Sequence, residues 1–252
     1  MNPFLSVGLG DLPVILSAPH GGRKPIPGVP ERRATGVPGF SVQRDNNTVE
    51  LTHLVLARLG RDLGARPFGV VADFERKHVD ANRAPQYAYE SAGAKLFYDA
   101  YHRALSAAVE RVRRRWGQGF LIDIHGQTAQ HETIFRGTDN LRSVSQLVER
   151  HGALALNGAN SILGHLHARG YRIQPSPHGS ERESQYTGGY ITRTYGSHRG
   201  TRIDAMQLEL GANLRRKTNL ERTADDLAQA IAAFAKEFLP PMSNGGKSPG
   251  HP

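Results

Sequence analysis

The sequence predicts an α/β fold, on two observations: short apolar runs closed by turn residues, and amphipathic helical stretches that alternate with them. Val14-Ile15-Leu16-Ser17-Ala18 is one such run, ended by Pro19-His20-Gly21-Gly22. Phe120-Leu121-Ile122-Asp123-Ile124 is another, ended by His125-Gly126. Runs this short and apolar read as interior strands halted by turn residues. Both histidines then stand at the carboxyl edge of one sheet, where the loops of open α/β sheets bind ligands. The 252 residues suffice for one domain with a full core, and nothing in the composition marks a second. The expected domain covers residues 1–239, and 240–252 read as a disordered tail.

The elements follow in order. After the first strand, a Pro/Gly-rich loop from Lys24 to Gly39 is long enough to cover a site. Apolar spacing predicts a helix from Thr48 to Leu63, with Val49, Thr52, Val55, Leu56 and Leu59 inward and Gly64 ending it. A strand at Phe68 to Ala72 and a loop from Glu75 to Pro85 come next. The stripe Tyr98, Tyr101, Leu105, Val109, Val112 and Trp116 predicts a second helix. Beyond the His125 strand, a helical stretch is expected from Leu156 to Arg169, then strands at Tyr171 to Gln174 and Ala205 to Leu210. Thr223-Ala224-Asp225-Asp226 resembles a capping box with Asp in place of Glu, and so marks the start of a final helix carrying Leu227, Ile231, Phe234 and Phe238.

Composition narrows the chemistry. The chain has no cysteine, which removes disulfides, thiolate metal sites and cysteine nucleophiles, so a metal must be held by His, Asp or Glu. The first residues lack a charged region followed by a long apolar stretch, and no run reaches membrane-spanning length, so a soluble, cytoplasmic protein is expected. The formal charge of +9 is compatible with nucleic acid, an acidic small substrate or an Arg-rich proteome. Its densest cluster, Arg111, Arg113, Arg114 and Arg115, lies on the second helix and is expected to face solvent. No nucleic-acid motif accompanies it, and nucleic acid is not an expected partner. Oligomeric state is not legible.

Six segments in order carry a resemblance: Pro19-His20-Gly21-Gly22; Asp45-Asn46-Asn47-Thr48-Val49-Glu50-Leu51; Arg76 to Asp80-Ala81-Asn82-Arg83; Asp123-Ile124-His125-Gly126; Gly188-Gly189-Tyr190-Ile191-Thr192-Arg193; and Gln207-Leu208-Glu209-Leu210. Together they resemble the N-formylglutamate amidohydrolase family, itself related to the zinc carboxypeptidases. The resemblance implies a three-layer α/β/α, phosphorylase/hydrolase-like fold with a mixed, largely parallel sheet, one zinc ion per chain, and hydrolysis of an N-acyl amino acid amide. N-formyl-L-glutamate is the first candidate. A carboxypeptidase-like hydrolase of a peptide or γ-glutamyl substrate would use the same residues. Glycines stand at Gly21 and Gly126, where the family often has serine.

The residues also have chemical readings of their own. Two neutral imidazoles on rigid strand ends, His20 and His125, suit zinc, which takes three protein ligands and a water in hydrolases. The third ligand is Asp45 or Glu50. Asp45 is favoured, because Glu50 falls where it would close a capping box on Asn47 and would have to reach back from the first turn. His131, in the loop after His125, is the reserve ligand. Glu209, opposite in facing to Met206, Leu208 and Leu210, is the expected general base and acid, and matches the zinc-carboxypeptidase glutamate. Arg76 is the expected oxyanion stabiliser. The resemblance places Asn82 and Arg83 on the substrate carboxylate, a contact that the planar fork of arginine suits. Arg193 is expected to take a second carboxylate or to hold a lid. Asp80 and Asp123 are expected to orient an arginine or a histidine.

Overall fold

A computed structural model describes residues 2–33, 39–179, 181–200 and 203–241. The tail expected at 240–252 lies, from residue 242 on, outside the described residues, as does part of the 24–39 loop. The elements run β1 (Leu5–Gly8), β2 (Val14–Ala18), α1 (Thr48–Leu63), β3 (Phe68–Ala72), α2 (Pro85–Ala88), α3 (Ala92–Trp116), β4 (Gly119–Gln127), β5 (Thr133–Gly137), α4 (Ser145–His151), α5 (Leu154–Asn157), α6 (Ile162–Ala168), β6 (Arg172–Gln174), α7 (Tyr190–Tyr195), β7 (Ile203–Gly211) and α8 (Lys217–Phe238).

The seven strands form one mixed sheet in the order β1-β3-β2-β4-β7-β5-β6. Its centre, β3-β2-β4-β7, is parallel, while β1 on β3 and β5 on β7 are antiparallel. Helices cover both faces. On one, Leu51, Val55 and Leu59 of α1 and Leu227, Ile231 and Phe234 of α8 pack with Val14, Leu16, Ile122 and Leu208. On the other, Tyr98, Tyr101, Leu105 and Val112 of α3 pack with Ile15, Val70, Leu121 and Ala205. The alternation of strand side chains divides the two cores. This is the three-layer α/β/α arrangement.

Several elements match their sequence signals. Helix α1 spans its predicted range and ends at Gly64, left-handed at φ 63°. The stripe of α3 is buried as expected apart from partly buried Trp116. Among the arginines after it, Arg113 and Arg114 pair with Glu110, and Arg115 reaches Asp11 and covers the Trp116 ring.

Others differ. The single helix expected over 156–169 is two, α5 and α6, because Ser161 caps a fresh helix by accepting from the Gly164 N–H at 2.9 Å. Helix α8 starts six residues before Thr223, whose hydroxyl donates to the Leu214 carbonyl from inside the helix instead of capping it. Strand β4 does not stop at Ile124: it continues through His125 and Gly126 to Gln127, because β7 pairs with it along its whole length.

The topology sets the site. From β2 the chain passes through α1 to β3 on one side, then through α3 on the opposite face to β4 on the other side of β2. The crevice of an α/β sheet opens where succession reverses in this way, at the carboxyl ends of the strands. Here those ends are the end of β2, carrying His20, and the end of β4, carrying His125.

Candidate active site

A cavity of about 850 Å³ opens at this carboxyl edge, within the range of small-molecule pockets. Its lining includes His20, Asp45, Arg76, Asn82, Arg83, His125 and Glu209. Glu50, His131 and Arg193 are not among the lining residues.

Each group at its floor is set by backbone. His20 follows β2, and its carbonyl accepts from the Asp45 N–H at 3.0 Å, fastening the segment before α1 to the strand end. The Asp45 side chain does not cap α1. Its Oδ2 accepts from the Gly126 N–H at 3.1 Å and lies 3.5 Å from His20 Nδ1 and 3.3 Å from His125 Nδ1. The far nitrogen of each imidazole is held by a second carboxylate. His20 Nε2 is 2.6 Å from Asp80 Oδ1, and His125 Nε2 is 2.8 Å from Asp123 Oδ2. Arg76 bridges the group, donating from Nε to Asp80 Oδ2 at 3.1 Å and from Nη1 to Asp45 Oδ1 at 3.4 Å.

These groups fit a divalent metal. In the tautomer that gives each Nε2–H to its carboxylate, both Nδ1 lone pairs face Asp45 Oδ2, and three acceptors then converge in a buried space. A cation there satisfies all three, and His20 Nδ1 has no hydrogen-bond partner. Ligand atoms of His20, Asp45 and His125 all lie within 4.8 Å of one another. The outer carboxylates fix each ring and raise its basicity, as around metal-bound histidine. Glu50 takes no part. It pairs with Arg23 at 2.9 Å near the surface.

The charges shift one another. Burial alone would raise the Asp45 carboxyl, but the neighbouring imidazoles of His125 and His20 hold it well below the usual range. Burial likewise opposes ionisation of Asp80 and is overcome by His20 and Arg76. Glu209 goes the other way: burial raises it, and the charge on Asp45 adds to the rise, against an opposing pull from His125. A carboxylate held in this way accepts a proton more readily than an exposed one.

Glu209 lies in the sheet interior, between β4 and β5, paired in register with His125 on one side and Phe135 on the other. Gln207, one step back on the same face, donates to Glu209 Oε1 at 2.8 Å.

A profile of the N-formylglutamate amidohydrolase family matches residues 90–215, half of the chain. The chain belongs to the N-formylglutamate amidohydrolase family. An N-formylglutamate deformylase of Pseudomonas putida is 25% identical, over 95% of each chain. Among solved structures, the N-formylglutamate amidohydrolase of Ralstonia eutropha JMP134 superposes with a TM-score of 0.62 at 17% identity, covering 93% of this chain and 97% of that one. A gene product of Agrobacterium tumefaciens gives 0.52 at 14% identity, covering 92% and 93%. At these identities the solved structures share the fold.

Within this amidohydrolase fold the remaining residues find places. Asn82 is buried with both polar ends engaged: Oδ1 accepts from the Ile191 N–H at 2.8 Å, and Nδ2 donates to Gln207 Oε1 at 3.3 Å beside His125 Nε2. Gly189 makes room for it, since a Cβ there would fall on the Asn82 amide. Arg83 stands at the cavity wall, donating to the Gly39 carbonyl at 2.7 Å and to that of Asn82 at 3.1 Å. Arg193 lies on α7, half exposed, ion-paired with Asp139 at 3.4 Å and bonded to the Thr187 hydroxyl at 3.1 Å. Its side chain meets the cavity wall at Thr187, which lines it.

Sequence reasoning missed the wall formed by Gln185, Tyr186 and Thr187. Glu183 pins it. Fully buried, that carboxylate accepts from Arg136 Nε at 2.9 Å, from the Thr138 and Asn140 N–H groups at 2.8 and 2.9 Å, and from the Thr138 hydroxyl. Its partners lie more than forty residues away, so no local pattern announces it. Arg215 was also missed.

Proposed function

We propose that the protein hydrolyses the amide of an acidic N-acyl amino acid, N-formyl-L-glutamate first, with one zinc ion held by His20, Asp45 and His125. The observation that supports this most is the convergence of both Nδ1 atoms on Asp45 Oδ2, with Asp80 and Asp123 behind them and Glu209 beside His125. A zinc ion there supplies Lewis acidity to the substrate carbonyl and to water.

The protein's own groups do the rest. Glu209 takes a proton from the water whose oxygen attacks the formyl carbon, then gives it to the departing nitrogen as the C–N bond breaks, leaving formate and glutamate. Burial favours that role by raising its carboxyl, and Gln207 fixes one carboxylate oxygen so that the other is turned to the proton. Arg76 provides positive charge where the carbonyl oxygen becomes anionic, kept charged by Asp80 and Asp45 in spite of its burial. Arg83 grips the substrate carboxylate at the wall, over an edge ordered by Asn82. Arg193 serves by holding Thr187 and its loop.

The test is formate release from N-formyl-L-glutamate by zinc-loaded protein, with and without a chelator. Release that the chelator abolishes and zinc restores is the predicted result. An amino acid released from a γ-glutamyl peptide, with no formate from the formyl substrate, would move the protein to the carboxypeptidase-like reading. Release indifferent to chelation would refute the metal.

A further inference from the structure

Arg215 belongs to the cavity lining yet is only 4% exposed, in the turn after β7. Among the described residues it forms no ion pair. Its guanidinium instead donates to three backbone carbonyls: Nε to Leu210 at 3.0 Å, Nη2 to Gln127 at 3.2 Å, and Nη1 to Asn46. Those carbonyls are not a random set. Leu210 follows Glu209, Asn46 follows Asp45, and Gln127 stands two residues beyond His125. One planar fork therefore ties together the ends of β7 and β4 and the segment entering α1, the three pieces of backbone that carry the base and two of the converging ligands. The Arg215 carbonyl closes the arrangement by accepting from Asn47 Nδ2 at 2.7 Å.

Gly126 belongs to the same device. A Cβ at this position would fall on the guanidinium carbon, 2.6 Å from both Nε and Nη1. An arginine tip ordinarily swings aside at little cost, but this one would have to abandon its three carbonyls in a buried place. The Gly126 N–H in turn donates to Asp45 Oδ2, so displacement there is felt at the ligand.

We propose that Arg215 is a positioning residue that clasps the Asp45, His125 and Glu209 segments, and that residue 126 is glycine to admit its guanidinium. The inference rests on the metal-hydrolase reading, but its test reads the metal directly and needs no substrate.

The experiment measures Zn²⁺ affinity by competition with a chromophoric chelator, and the absorption spectrum of the Co²⁺ form, in folded wild-type, Arg215→Ala, Arg215→Lys and Gly126→Ala proteins. Partners that orient metal ligands typically change affinity by about 10–100-fold, so a loss of that order is expected in Arg215→Ala, with an altered Co²⁺ spectrum. Arg215→Lys should recover part of it. Added guanidinium at millimolar concentration should restore affinity to Arg215→Ala, while urea at equal concentration should not. If Arg215→Ala does not fold, Gly126→Ala carries the test, since its methyl group meets the guanidinium. The Arg215→Ala/Gly126→Ala double variant should lose no more than the worse single one, because both remove one interaction. Wild-type affinity in either folded single variant, or additive losses in the double, would overturn the proposal. Absence of formate release from a wild-type protein that binds Zn²⁺ tightly would count against the substrate reading alone.

Discussion

His125 and Glu209 stand opposite each other on adjacent parallel strands, the partners of one register position, with Asp123 and Gln207 paired one step behind on the same face. The four side chains form two couples along the strands. His125 Nε2 lies against the Asp123 carboxylate, and Gln207 donates its amide to Glu209. The imidazole and the carboxylate are thereby fixed side by side at the floor of the cavity.

Glu209→Gln keeps the shape of that floor and removes its proton acceptor. General acid-base catalysis typically contributes about 10²–10⁴-fold, so kcat should fall by that factor with zinc content and melting temperature unchanged. Steady-state kinetics beside elemental analysis decide it. Activity within tenfold of wild type would make Glu209 structural, and loss of zinc would make it a ligand.

Behind each histidine a carboxylate sets the ring. Asp80→Asn and Asp123→Asn should each weaken Zn²⁺ binding by about 10–100-fold while the fold survives. Chelator competition measures this. Asp80 also receives Arg76, so its variant should lose kcat beyond what added zinc restores, whereas excess zinc should recover most of the activity of the Asp123 variant.

Arg83→Ala tests the substrate's carboxylate. A charge-assisted bidentate contact contributes on the order of 1.5–3 kcal/mol, so KM for the acid should rise about tenfold or more. KM for the corresponding amide should barely move. Equal losses for both would remove Arg83 from recognition.

What could be read in advance depended on how local each signal was. Helix α1 was legible to the residue because its apolar spacing and Gly64 lie within a few turns, and His20 and Asp45 because the elements they flank are local. The edge strand β1 and the inner strand β5 escaped notice, since Leu5–Gly8 and Thr133–Gly137 are set by their pairing, the first with β3 and the second with β7 and β6. The run of β4 past His125 is likewise a property of β7. Glu183 and Arg215 were invisible for the same reason, as buried charges given meaning by carbonyls and amides far off in the chain. Asp45 and Glu50 flank the same helix start in the sequence, and the fold turns the first inward to two histidines and the second outward to Arg23.

The measurement that bears most directly on the account is metal stoichiometry by elemental analysis, in the wild-type protein and in His20→Ala, His125→Ala, Asp45→Asn and Glu50→Gln. The account predicts about one zinc per chain in the wild type and in Glu50→Gln, with the metal lost from the other three. Zinc kept at full stoichiometry when His20 or His125 is replaced, or lost only when Glu50 is, would contradict it.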